Sequence, residues 1–302
     1  MNRYIEEYLN YLENIKMVSA NTLASYKRDI KGYFEYIESS AVGTVEGANS
    51  TIILNYLLSI QKNGKSASTA SRTLASIRSL YRYLTQKGYI SADPTYDLHG
   101  FKADRRPPRA LTDEQVQALL DAPVLKNIKG YRDKAILELM YATGMRASDV
   151  IGIRIKDVNL KVGYIYCMGG DGKKYIVPIY AFARECLQQY MDKRREIANS
   201  SNTDFLFLNL NGSPLSRQGL WKIIKGYQKK LGISVEITPH SLRHSFAIHL
   251  LENGADLKSV QELLGHKDIS STRIYEQTVK NKLSEVYEKS HPRARYGKQK
   301  IN

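Results

Sequence analysis

With 302 residues, 42% of them hydrophobic and 25% charged, the chain suits a soluble protein of two domains with sizeable cores. Its formal net charge of +15 points to a polyanionic partner. No apolar run approaches the ~20 residues that span a membrane. Met1 to Tyr11 carries Glu6 and Glu7 and no signal-peptide core, and Cys167 and Cys186 fit neither a metal spacing nor a disulfide framework, which places the chain in a reducing cytoplasm.

The chain opens with helical patterns. Tyr4, Ile5, Tyr8, Leu12 and Ile15 share one helix face. A second helix is expected after Ser19 or Asn21, with Leu23, Tyr26, Ile30, Tyr33, Phe34 and Ile37 inward, and a third over Thr51 to Gln61. Asn63-Gly64-Lys65 reads as a turn, and Ser66 or Ser68 as the cap of a fourth helix. That helix repeats Ala67, Ala70, Leu74, Ile77, Tyr81 and Leu84 in steps of three and four, a narrow apolar stripe. Between Glu46 and Asp93 there is no acidic residue, while Lys62, Lys65, Arg72, Arg78, Arg82 and Lys87 all fall there. A merely solvated face has the same charges. Small polar residues interleaved with the basic ones favour nucleic acid, with Lys65, Arg72, Arg78 and Arg82 as its contacts. Residues 1–98 therefore read as a small helical DNA-binding domain. Residues 99–110, with Arg105-Arg106-Pro107-Pro108-Arg109, read as a stiff basic linker, either solvated or following a DNA backbone.

The second domain, 111–302, opens with Thr112 as N-cap and Gln115 at the capping-box position. A buried helix through Ala135, Ile136, Leu139, Met140 and Ala142 ends at Gly144, with Arg146 just beyond. Gly163 to Met168 and Tyr175 to Val177 form a hairpin whose tip is Gly169-Gly170-Asp171-Gly172-Lys173; the tip lacks the Walker spacing of a phosphate-binding loop. Further helices cover about 180–198 and 216–231, with Phe205-Leu206-Phe207 a short apolar segment between them. The fold class is mainly α, a helical bundle followed by an α-rich domain with a small β-sheet or hairpin.

The densest chemistry lies from Thr238 to Tyr275. Thr238 suits a helix N-cap and Pro239 the first helical position, so His240 and Arg243 share a face at a helix N-terminus, where free N–H groups and the dipole favour anions. Gly265 suits the stop of a helix that begins near Asp256, which puts His266 at a chain turn. Tyr275 follows after a short polar run. The pattern suggests a tyrosine delivered to a phosphate held by arginine and histidine.

His240-x-x-Arg243, His266 and Tyr275, preceded by Ala142-Thr143-Gly144-Met145-Arg146, resemble the signature of the tyrosine recombinases, the phage-integrase family, and most of all its compact Xer-type members. The resemblance implies a core-binding domain followed by a catalytic domain, and catalytic Arg146, Lys173, His240, Arg243, His266 and Tyr275, with Tyr275 the nucleophile. Lys173 matches the hairpin lysine when Val177-Pro178 is the anchor, and Asp149 stands where the family usually has Glu. The resemblance also implies a covalent 3'-phosphotyrosine with no cofactor and no metal. Its partners are a double-stranded recombination site and a homo- or hetero-tetramer on two paired sites. It further implies a C-terminal segment, after Val279, that docks into a neighbouring protomer. Chromosome or plasmid dimer resolution and mobile-element integration both stay open. A DNA-binding regulator without chemistry is disfavoured by the intact tyrosine and arginines, and a relaxing topoisomerase by the layout.

Overall fold

The computed structural model describes residues 3–40, 43–101, 110–168, 174–198, 203–264 and 286–294. Contacts divide the chain into two compact units that meet in sequence between Arg106 and Pro107.

The first unit is all helix. Helix α1, Arg3–Asn10, runs on into one π-helical turn, Tyr11–Ile15. Helices α2 (Ala20–Glu38), α3 (Ser50–Lys62) and α4 (Ala67–Gln86) each start on a side-chain cap: Ser19 accepts from Thr22 N–H, Asn49 from Ile52 N–H and Ser66 from Thr69 N–H. Each cap satisfies a donor that the first helical turn leaves free. Gly64, at φ 81°, makes the turn between α3 and α4. The apolar stripe of α4 is the floor of the core: Ala70, Leu74, Ile77, Tyr81 and Leu84 are buried, as are Ile30, Tyr33, Phe34 and Ile37 of α2 facing it. Tyrosine in such a core needs partners for its hydroxyls. Tyr33 and Tyr81 share a hydrogen bond of 2.8 Å, and Tyr81 donates to the Val45 carbonyl at 3.1 Å.

The second unit is built around one buried helix. Helix α5, Asp113–Asp121, begins on the capping box of Thr112 and Gln115. Helix α6, Ile128–Thr143, packs against α5 and two helices that follow, α8 (Ala181–Ala198) and α10 (Pro239–Glu252). Enclosed on all sides, α6 buries charge as well as hydrocarbon, and its charges are paired. Arg132 Nη2 lies 2.7 Å from Asp133 Oδ1, and Tyr227 donates to Asp133 Oδ2 at 3.0 Å. Lys134 reaches Asp121 at 3.0 Å and Glu138 at 3.0 Å, and donates to the Leu120 carbonyl at 2.7 Å. A short helix α7, Ala147–Gly152, leads to a sheet of order β1-β2-β3, all antiparallel: Val158–Asn159, Tyr164–Met168 and Lys174–Pro178. The hairpin foreseen from sequence is β2–β3, and β1 extends it by one strand. Helix α9 (Arg217–Lys230) packs against α7, and α11 (Leu257–Leu263) against α10.

The chain returns to this core at 286–294. Tyr287 stacks on both Tyr180 and His291, with ring centroids 6.1 and 4.8 Å away, and those two rings also meet at 5.1 Å. His291 and Arg293 are buried, and Arg293 Nη2 donates to Glu138 Oε1 at 2.6 Å, while Tyr180 donates to Oε2 of the same carboxylate. The sequence reading sent the segment after Val279 to a neighbouring protomer. Of that segment, residues 286–294 pack against their own unit in this single chain, where Arg293 pairs with the buried Glu138 carboxylate, and the rest lies outside the described residues. Among the described residues, no helix is long and apolar enough to cross a membrane.

Candidate active site

The site forms where α10 begins. Thr238 accepts from Ser241 N–H at 3.0 Å, and Ser241 Oγ accepts from Thr238 N–H at 2.7 Å, a capping box with Pro239 in the first helical position. This start fixes the first turn. It leaves His240 exposed and turns Arg243 inward, where 8% of it remains exposed.

Arg243 is held by backbone. Its Nη1 donates to the Gly144 carbonyl at 2.6 Å and its Nη2 to the Leu264 carbonyl at 2.8 Å. Gly144 ends α6 in the left-handed region, at φ 60°, and a Cβ there would lie 2.3 Å from the Phe246 ring, so glycine is required on both counts. The turn at Gly144 points the chain back so that Arg146 starts α7 on the rim of the same cleft as Arg243. Arg146 is less constrained: its Nη1 lies 3.9 Å from Asp149 Oδ2, and 41% of its side chain is exposed. The arginine that sits deep is pinned, and the one at the rim is free to adjust.

The cleft measures about 620 Å³ and is lined by Arg146, Arg217, His240, Arg243 and His244 with apolar and hydroxyl neighbours, and among the described residues no carboxylate lines it. Burial and then the Arg146 charge lower the Arg243 pKa from its ordinary value, opposed by Tyr175 and Asp149. A guanidinium stays charged through any such shift. Two confined like charges are favourable only with an anion between them, and the N-terminus of α10 adds its dipole.

Of the residues singled out from sequence, Arg146, His240 and Arg243 are brought together here. Lys173, His266 and Tyr275 lie outside the described residues. Arg217 is not among the residues the sequence singles out, and His244, like His249, fits no motif position and reads from sequence as structural, whereas His244 lines the cleft. His244 sits one turn after His240 on the same helix, so its place on this face was readable; Arg217 follows the Ser216 cap of α9, and its side chain reaches the cleft only through tertiary packing. His249, set aside as structural, is buried between the Tyr141 hydroxyl and the Leu111 carbonyl, 2.8 Å from each.

In the first unit, Lys65, Arg72 and Arg82 are exposed, Arg72 and Arg82 on α4 and Lys65 just before it. Arg72 also pairs with buried Asp29 at 2.6 Å. Arg78 differs from the expectation. Its guanidinium is turned along the unit onto the carbonyls of Leu98 and Thr95, because the chain after α4 folds back and leaves those acceptors without helical partners.

Two family profiles match the chain: the N-terminal SAM-like domain of phage integrases over residues 5–88, and the phage integrase family over residues 109–282. The chain is 42% identical over 295 residues to the tyrosine recombinase XerD of Staphylococcus epidermidis, covering 97% of this chain and 100% of that one. It is 40% identical to the XerD of Halalkalibacterium halodurans over 296 residues, covering 97% and 99%. Among solved structures, it is similar in fold to the XerH recombinase bound to a palindromic difH substrate, with TM-score 0.71, 24% identity and coverage of 94% and 83%. A lambda integrase dimer bound to a COC' core site gives TM-score 0.69, 20% identity and coverage of 91% and 76%. A chain whose two units each match their half of this architecture, and whose arginines converge on an anion cleft, belongs to the phage integrase family: it is a tyrosine recombinase, an enzyme that cuts and rejoins DNA through a tyrosine intermediate.

Proposed function

We propose that the chain is an Xer-type recombinase of the cytoplasm that resolves chromosome dimers, and that the cleft at α10 is where it cuts DNA. The observation that carries the site is the pairing of a pinned, buried Arg243 with an adjustable Arg146 on one cleft that, among the described residues, no carboxylate lines. Both arginines clamp the non-bridging oxygens of the scissile phosphodiester, where negative charge builds during attack. A phenol with an ordinary pKa near ~10 is a poor nucleophile at neutral pH, so neighbouring cations favour its ionisation. Tyr275 attacks phosphorus and its proton passes to His240; His266 hydrogen-bonds the phosphoryl group. The bond to the 5' oxygen breaks, and that oxygen takes a proton from Lys173. The 3'-phosphotyrosine keeps the bond energy, so a 5'-hydroxyl from another strand reverses the step with no cofactor.

Residues 1–98 serve as the core-binding domain, 99–110 as linker and 111–302 as the catalytic domain. Lys65, Arg72 and Arg82 take phosphate contacts, and Arg78, committed to carbonyls, orders residues 95–98 behind them. The partners are a double-stranded site and three further protomers, identical or not, on two paired sites. The 42% identity to a XerD favours the chromosomal role over mobile-element integration.

The test has two parts. Tyr275→Phe is expected to bind site DNA normally and form no covalent adduct; an adduct surviving denaturation in that variant removes Tyr275 from the role. Mapping bound DNA in the source genome is expected to return one chromosomal site. Occupancy only at the ends of a mobile element would assign integration instead.

A further inference from the structure

The wall behind the two arginines contains two buried polar atoms that lack partners. One is the hydroxyl of Tyr175, and the other is Oδ2 of Asp149; neither has a hydrogen bond among the described residues. Most buried polar atoms in folded proteins are paired, so each such exception calls for a reason.

Their positions follow from the sheet. In the β2–β3 ladder Ile165 lies opposite Val177, and Cys167 opposite Tyr175, so these four share a face, and Ile165, Cys167 and Val177 are buried. Cys167 Sγ packs 3.7 Å from the Met145 sulfur, and Met145 is the residue before Arg146. Tyr175 thus stands against the loop that carries the rim arginine. Asp149 approaches that loop from α7: its Oδ1 accepts from Ser148 Oγ at 3.2 Å, while its Oδ2 faces Arg146 Nη1 at the long distance of 3.9 Å. Burial holds the Tyr175 phenol in its protonated form, with Cys167 and Asp149 acting in the same direction and Arg243 and Arg146 against it. A neutral phenol is both donor and acceptor, a carboxylate accepts only, and a guanidinium donates only. Tyr175 is therefore the one group of the three that can link the other two, by giving its proton to Asp149 Oδ2 and accepting from Arg146.

We propose that Tyr175 is a positioning residue for strand cleavage: when a phosphodiester enters the cleft, its hydroxyl and Asp149 Oδ2 close a hydrogen-bonded brace behind Arg146. Among the described residues these bonds are not made, and Arg146 stays adjustable. Interactions made only as the reacting group is gripped accelerate the chemical step, whereas interactions already made in the free protein do not. This rests on the cleft being the cleavage site.

The experiment compares Tyr175→Phe with wild type, using a nicked duplex that carries the chromosomal site occupied by the wild-type protein. Removing a hydroxyl that has no hydrogen-bond partner among the described residues leaves the thermal midpoint unchanged or raised, and affinity for the duplex within about twofold. Single-turnover cleavage, measured well below the midpoint, falls about 10- to 100-fold, the cost of a misplaced reacting group. Asp149→Asn lowers the rate similarly, and combining the two adds little, because both remove one brace. Cleavage by Tyr175→Phe at the wild-type rate overturns the proposal, as do a lowered midpoint or loss of folded protein in that variant, or rate losses that multiply fully in the double variant. Arg146→Ala and Tyr275→Phe run alongside. If either cleaves, the cleft reading itself fails; if both are inert and Tyr175→Phe is normal, only the brace fails.

Discussion

His291 shows how much one side chain can commit to a single protonation state. Its Nε2 donates to the Tyr141 carbonyl at 3.0 Å, and its Nδ1 accepts from the Arg293 N–H at 3.1 Å. Both nitrogens are thus satisfied by the neutral ring, and a second proton would face the Arg293 N–H. Burial, helped by the charges of Arg293 and His249, pushes its pKa down from 6.5 to about 3. The unfolded chain therefore binds one more proton than the folded chain between those values. Stability is expected to fall as pH drops below about 6.5, by at most ~1.4 kcal/mol per pH unit from this residue. Urea titrations of wild type and His291→Gln from pH 7.5 to 5 check this: glutamine can donate and accept in the same places without titrating, so its slope should be shallower. An equal slope in both proteins would show that His291 is not the group responsible. Residues of this kind are where sequence reading stops. Thr112, Gln115, Thr238 and Pro239 announce their roles through neighbours a few positions away, and all four take the roles expected of them. His291 and Arg78 have their partners far along the chain or in an irregular turn, and no local pattern encodes those.

Among the elements, α4 was legible because its two sides do different jobs. The apolar stripe gave the buried face, and the unburied charges followed. The pattern left Arg72 unsorted: it is 44% exposed, yet its guanidinium balances Asp29, which is buried and also accepts from Ser76 at 2.9 Å. This separates two substitutions of equal charge change. Lys65→Glu with Arg82→Glu is expected to leave the urea midpoint within ~0.5 kcal/mol, as surface changes usually do, while lowering DNA affinity and flattening its salt dependence. Arg72→Glu strips a buried carboxylate of its partner and sets a second negative charge against it. It should cost about 1–3 kcal/mol of the first unit's stability, and its binding defect then reports folding as much as contact. Unchanged affinity of the Lys65/Arg82 variant across a salt titration would place this face away from DNA. Helix α6 was legible to a lesser degree. Its apolar residues and its stop at Gly144 were readable, but no local pattern marked Arg132, Asp133, Lys134 and Glu138 as buried; all four are, and partners from several sides neutralise them.

At the level of the molecule, the catalytic unit closes on a segment far from its centre in sequence. Truncation after Thr278 removes Tyr287, His291 and Arg293 together, opening the aromatic stack on Tyr180 and leaving Glu138 with one cation in place of two. Loss of one partner from a buried ion network costs about 3–5 kcal/mol, before any loss of aromatic packing. The truncated protein is therefore expected to show a destabilised or unfolded second unit beside a first unit with its normal transition, read by differential scanning calorimetry. An intact second transition would mean that the contacts of 286–294 contribute little. For the same reason, defects in recombination after such a truncation cannot be assigned to protomer contacts alone.

The latch on Glu138 also bears on when the enzyme comes into being. Domains fold as units during synthesis, the N-terminal one first, so α1–α4 can assemble while the ribosome is still making the rest. The second unit cannot finish until Arg293 has left the ribosome, and Arg243 cannot be pinned before Leu264 has. If the first unit grips DNA and the cleft cuts it, as proposed, a nascent chain can thus bind DNA while still lacking the completed cleft. On that proposal the order of residues along the chain acts as a safeguard, since competence to cut waits for Arg293 while the first unit does not.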